Sequence, residues 1–132
     1  MNSPRLVFAL ANSPGFHRIA SHQDAWAESV PATAVALSFE LSGFRDDAIA
    51  ELKRFTALRC LDLDGTKVTD KSLNMIASLP MLEELWLEET SVTDSGIQAL
   101  AVAPRLKFVS VAHTAVTPLG IQSLVSRRPA LE

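Results

Sequence analysis

One cysteine stands in the whole chain, Cys60, which excludes an internal disulfide framework and a cysteine-based zinc site. The five glycines form no phosphate-binding loop, no nucleophile elbow is present, and Cys60 has no histidine partner with an orienting group. His17 and His22 are five residues apart and do not align on one helix face, so they offer no zinc pair. Charge of one sign is also lacking. Twelve basic residues against 15 acidic ones leave −3, with no electrostatic footprint for nucleic acid or an anionic membrane. The N-terminal apolar run Leu6 to Ala11 follows a single Arg5; it is too short for a membrane span and has no charged leader, so it reads as a capping strand. These absences describe a soluble, cytoplasmic chain that is not an enzyme and takes no cofactor or metal. With 132 residues and 48% apolar content, it is long enough for one continuous core.

What is present is a pattern stated twice without a gap. LRCLDLDGTKVTDKSLNMIASLPM (58–81) is followed by LEELWLEETSVTDSGIQALAVAPR (82–105), matching Leu61 with Leu85, Thr66 with Thr90, Asp70 with Asp94 and Pro80 with Pro104. The period is 82 − 58 = 24 residues. The same step reaches back to 34–57, with Leu37, Phe39, Phe44, Asp46, Ile49, Leu52 and Phe55 in place. It reaches forward to 106–130, with Val109, Val111, Thr114, Val116, Thr117, Ile121 and Leu124, at the cost of one extra residue.

Each unit opens with an alternating apolar pair, Leu37/Phe39, Leu61/Leu63, Leu85/Leu87 or Val109/Val111, which predicts a strand with one buried face. Successive units then lay these strands side by side as a parallel sheet. Ser42, Thr66, Thr90 and Thr114 follow, where a hydroxyl can satisfy backbone groups as the chain leaves the strand. Thr69-Asp70 and Thr93-Asp94 supply N-cap oxygen and negative charge to a helix start, and Thr117-Pro118 adds proline in a first turn. Leu73/Ile76/Leu79 and Ile97/Leu100/Ala103 are spaced for one inward helix face, and Pro80, Pro104 and Pro129 end those helices. Residues 1–33 fall outside the period and read as a degenerate N-terminal cap. RLVFAL is expected as a strand, NSPG as a turn, and Phe16 to Glu28 as a helix with Ile19, Trp26 and Val30 facing inward. Val30-Pro31 closes that helix.

The pattern LxxLxLxxTxVTDxxLxxLxxLPxL resembles the leucine-rich repeats common in bacteria, related to the cysteine-containing repeats of F-box-type proteins. Its 24-residue period lies within the roughly 20–29 residues of such repeats. The resemblance covers residues 34–131 and implies an α/β solenoid, a short horseshoe with parallel strands on its concave side and helices on its convex side. It also implies protein binding as the usual work. No F-box-like segment precedes the repeats, so adaptor function in ubiquitin ligation is not implied.

With the leucines buried, the remaining strand positions form a grid. Its first column is Ala36, Cys60, Glu84 and Phe108; its second is Ser38, Asp62, Trp86 and Ser110; its third is Glu40, Asp64, Glu88 and Ala112. Leu41, Gly65, Glu89 and His113 lie just beyond. The surface so read is acidic, with Glu40, Asp62, Asp64, Glu84, Glu88 and Glu89 around Trp86 and Phe108, and with His113 near the latter. An indole at position 86, where the column otherwise holds serine and aspartate, suits the centre of an interface. Trp86 and Phe108 on neighbouring strands can equally pack on each other. A partner docking here would be a protein or peptide with basic residues, and a cation over Trp86 would contribute roughly 0.5–2 kcal/mol. Carboxylates on a flat sheet seldom converge and no EF-hand spacing is present, so Asp62, Asp64 and Glu88 do not read as a metal site. Cys60, between Glu84 and Asp62, is expected to be inert because its negative neighbours discourage the thiolate.

The last strand has no further unit after Ala130-Leu131-Glu132, which leaves an open edge along residues 107–112. Self-association into a homo-oligomer through Phe108, Val109, Val111, Leu124 and Val125 is the alternative to partner binding.

Overall fold

Every strand is three residues long, and each pairs with the next in sequence. A computed structural model of the chain describes residue 5, residues 13–20 and residues 26–132. Within these, β1 (Phe16–Arg18), β2 (Ala36–Ser38), β3 (Cys60–Asp62), β4 (Glu84–Trp86) and β5 (Phe108–Ser110) form one five-stranded parallel sheet in chain order. The register places Leu37 beside Leu61, Leu61 beside Leu85 and Leu85 beside Val109, so the 24-residue period becomes the spacing between strands. The chain is α/β.

The alternation sends Leu37, Leu61 and Leu85 into the core together with Phe39, Leu63 and Leu87, all fully buried. Phe44, Val68, Val92, Leu52, Leu73, Ile76 and Leu100 meet them from the connecting segments, so one apolar layer runs the length of the sheet. Its N-terminal end is filled by Trp26, at the start of α1 (Trp26–Ser29). The indole meets Phe39 edge-on at 4.8 Å and stacks on Phe55 at 5.9 Å, the capping core role its sequence position suggests.

The helical side is thinner than the sequence suggests. Unit 34–57 has only a 3₁₀ helix, Asp46–Arg54; the next has a 3₁₀ turn, Asp70–Ser72, leading into α2 (Leu73–Ala77). The third has α3 (Asp94–Ile97) followed by 3₁₀ turns over Gln98–Val102. Among the described residues, only α4 (Pro118–Arg127) is a regular ten-residue helix. A layer stacked at strand spacing leaves little width per unit, and the tighter 3₁₀ winding fits it.

The acids at the helix starts do something other than cap their own helix. Asp70 accepts the N–H and hydroxyl of Thr93, at 2.8 and 2.6 Å, and Asp94 accepts those of Thr117, at 2.6 and 2.5 Å. Asp46 does the same for Thr69 and also takes the Ser72 hydroxyl. Each acid therefore fastens its unit to the next. Of the three threonines only Thr69 caps with its side chain, accepting from the Lys71 N–H. The turn threonines behave as expected: Thr66, Thr90 and Thr114 donate their hydroxyls to the carbonyls of Leu63, Leu87 and Val111.

Two expectations are corrected. Phe16–Arg18 is a strand, not the start of a helix; it pairs with β2, Phe16 beside Ala36, while helix is present at Trp26–Ser29 among the described residues. The backbone of Gly15 and Phe16–Arg18 is taken up by the sheet edge of β2, and tertiary pairing overrides the local pattern. The edge of β5 is also not fully open. The Glu132 N–H donates to the Lys107 carbonyl and its carbonyl accepts from Val109, so Glu132 stands where a sixth strand would begin. The expected Leu6–Ala11 strand and His22 lie outside the described residues. Among the described residues, no helix is long and apolar enough to cross a membrane.

Candidate functional site

The parallel register carries three columns across the open face of the sheet. The first is Ala36, Cys60, Glu84, Phe108 and the second is Ser38, Asp62, Trp86, Ser110, as the period predicts; β1 extends them with Phe16 and Arg18. Because neighbouring strands in any parallel sheet sit about 4.8 Å apart, side chains within a column are in contact range.

Trp86 is half-buried rather than standing clear of the surface. Its ring lies 5.1 Å from that of Phe108, tilted by 53°, and its Nε1–H donates to Glu84 at 2.6 Å. The two aromatics thus form a pair with one flank held by a carboxylate. Ser110 donates its hydroxyl to Glu88, and the Glu88 N–H in turn donates to Asp64 at 2.7 Å, tying the third column to the second.

The acids are not one exposed rim. Glu84 is only 3% exposed, beneath the indole it accepts from, and Asp62 only 7%, accepting from the Ser38 hydroxyl at 3.2 Å and the Asp64 N–H at 3.0 Å. Two of the six acids read as surface are therefore interior partners of the sheet. Glu40 and Glu89 are exposed, while Asp64 and Glu88 are half-buried.

Three carboxylates do converge, and the set holds Glu40 where the sequence pointed to Glu88. One oxygen from each of Glu40, Asp62 and Asp64 lies within 4.8 Å of the others. Among the described residues, Arg18 is the cation paired with them, 3.5 Å from Glu40. Burial pushes the Asp64 carboxyl up to about 7, and the nearby Asp62, Glu88 and Glu40 charges add to the rise despite the Glu88 N–H. Asp62 is raised too, by burial first and then by Glu40. Burial, then Glu84 and Asp62, pushes the Cys60 thiol far above its ordinary range, so no thiolate forms at neutral pH.

Glu89 and His113 are exposed and share with Leu41 and Gly65 a turn of positive φ, between 58° and 67°. At the far end of the sheet, Phe108, Val109, Val111 and Val125 are half-buried. Leu124 is only 4% exposed, and it too faces the groove at this end. Val109, Val111, Val125, Ile97, Ile121 and Leu131 line a groove there.

Sequence reading missed three participants. Arg18 belongs to a strand only 20 residues before its neighbour (38 − 18 = 20), off the 24-residue period. Arg5 sits against Phe108, its guanidinium carbon 4.1 Å from the ring centre, a contact that no local pattern announces. Glu83 bridges Arg59 at 2.7 Å and Lys107 at 3.3 Å; these residues are spaced by 24, and extending the grid one column would have found them. No protein-family model and no curated protein matches the chain.

Proposed function

We propose that the chain is a short leucine-rich-repeat solenoid whose sheet lines the concave side. It works as a non-enzymatic, cytoplasmic protein–protein interaction module. The observation that carries this reading is the Trp86–Phe108 pair: two large rings, 5.1 Å apart, on a face where the neighbouring strands present Ser, Asp and Cys. Glu88, Glu40 and Glu89 give the same face negative charge, so a segment rich in lysine or arginine is the complementary partner. The face is built on hydrogen-bonded strands clasped unit to unit, which keeps the ordering cost of binding on the partner's side.

An unbiased peptide-display selection on the purified chain tests this. Enrichment of basic peptides, with at least a roughly tenfold loss of affinity in Trp86→Ala, is the expected result. Peptides without charge preference that ignore Trp86→Ala would overturn it.

A second reading rests on the apolar groove at the end of the sheet. There the Val111 and His113 N–H groups, unlike their counterparts at Leu87 and Glu89, find no acceptor among the described residues. A second copy docking on this end would make a homo-oligomer. Sedimentation velocity separates the readings: a dimer dissociated by Ile121→Lys favours self-assembly, and a monomer leaves the concave face.

A further inference from the structure

The chain carries its own stand-in for the ligand. Arg5 is 127 residues from Glu132 in sequence, yet its Nη2 lies 3.0 Å from the Glu132 Oε1 and its guanidinium carbon 4.1 Å from the Phe108 ring centre. The Arg5 side chain is only 19% exposed. Glu132 is fixed at the β5 edge by two backbone hydrogen bonds, to Lys107 and from Val109, so its carboxylate has a defined place beside the ring. A planar cation lying on an aromatic face with a carboxylate at its edge is the arrangement that recognises guanidinium specifically. Guanidinium is weakly hydrated and stacks, whereas an ammonium is compact and strongly hydrated.

We infer that Phe108 and Glu132 form an arginine subsite next to Trp86, filled in the free protein by Arg5 and taken by an arginine of the partner on binding. This rests on the proposed partner-binding reading and adds the ligand's chemistry and a built-in competitor. A tethered group acts at an effective concentration in the millimolar range, so an Arg5 whose own affinity for the subsite is tighter than that weakens every competing arginine by the ratio of the two.

The test is calorimetric titration of the full chain with the peptide Gly-Arg-Arg-Gly and its lysine counterpart. The wild type, Arg5→Ala, Arg5→Ala/Glu132→Ala and Trp86→Ala are compared, with thermal melts confirming that each is folded. The expected result is about tenfold tighter binding of the arginine peptide by Arg5→Ala than by wild type. That gain should be lost with Glu132→Ala and weaker for the lysine peptide. Arg5→Lys, which keeps the charge but not the plane, should fall between wild type and Arg5→Ala. If wild type binds and depends on Trp86 but Arg5→Ala binds no tighter, the subsite is wrong and the interaction module stands. A gain that survives Glu132→Ala, or that the lysine peptide shares, also overturns the subsite. If no variant binds either peptide, subsite and basic-partner reading fall together.

Discussion

Asp70 grips Thr93, one repeat later, by both its backbone N–H and its hydroxyl, at 2.8 and 2.6 Å. The same two-point clasp joins Asp46 to Thr69 and Asp94 to Thr117. It dictates a neighbouring residue. A Cβ on Gly96 would stand 1.9 Å from the Asp70 Oδ1, and one on Gly120 would stand 2.0 Å from the Asp94 Oδ1. In the first clasp that place belongs to Ser72, whose hydroxyl becomes a third donor to Asp46. Glycine or a donating serine is thus set by the acid of the preceding unit.

The clasp predicts a coupled pair of substitutions. Asp70→Ala should cost about 1–3 kcal/mol, because two donors of Thr93 lose a charged acceptor. Gly96→Ala should cost a similar amount through the clash, but less in the Asp70→Ala background, where the Oδ1 and Cγ are gone and the Cβ, 2.7 Å away, still crowds it. Denaturant melts of the four variants give the coupling, and strict additivity would contradict the clasp.

Much of this was legible in advance because a repeat multiplies every signal. The register of β2 to β5, the buried leucines and the column holding Trp86 all follow from a step of 24. The aspartates were visible as well, but their role was not. Local capping and cross-unit clasping use the same residue types, and only the distance from Asp70 to Thr93 separates them. Burial of Glu84 and Asp62 was hidden for a related reason. Alternation tells which face a side chain takes, not how deeply its neighbours cover it. The β1 strand and Arg5 lie outside the period, so their partners are decided by contacts across the chain.

Asp64 should give the protein an unusual pH dependence. Its carboxyl titrates near 3.8 when unperturbed and near 7 in the fold. Across that interval the unfolded chain has released a proton that the folded chain still holds. Its contribution therefore favours folding below about 4, falls as pH rises, and levels off above about 7. Asp64→Asn keeps an acceptor for the Glu88 N–H and should stabilise by about 1–2 kcal/mol at pH 8, with little change at pH 4.

The acid limb has different owners. The hydrogen bond from Arg59 holds Glu83 below its ordinary 4.5; at Asp46 burial opposes, but the Ser72 and Thr69 bonds hold the carboxyl below 3.8. Their stabilisation is present at neutral pH and is lost as pH falls through those depressed values. Thermal melts from pH 2 to 5 should show this loss unchanged in Asp64→Asn and reduced in Glu83→Gln.

Gly65 answers a backbone requirement. It takes φ +67°, and a Cβ there would meet the Leu41 Cδ2 at 2.4 Å. Gly65→Ala should destabilise by about 1–2 kcal/mol. Because Leu41 is 74% exposed and can swing away, Leu41→Ala/Gly65→Ala should recover part of the loss, leaving the backbone cost.

On the proposed function, a partner meets the Trp86 face. The most direct test is a two-dimensional amide NMR titration of the chain with an arginine-rich peptide. Shift changes concentrated at the Trp86 indole, Phe108, Glu88 and Asp64, with the helical side unmoved, are the expected result. Changes centred on Ile97, Ile121 and Val125 at the end groove, or on Asp46–Arg54 behind the sheet, would contradict it.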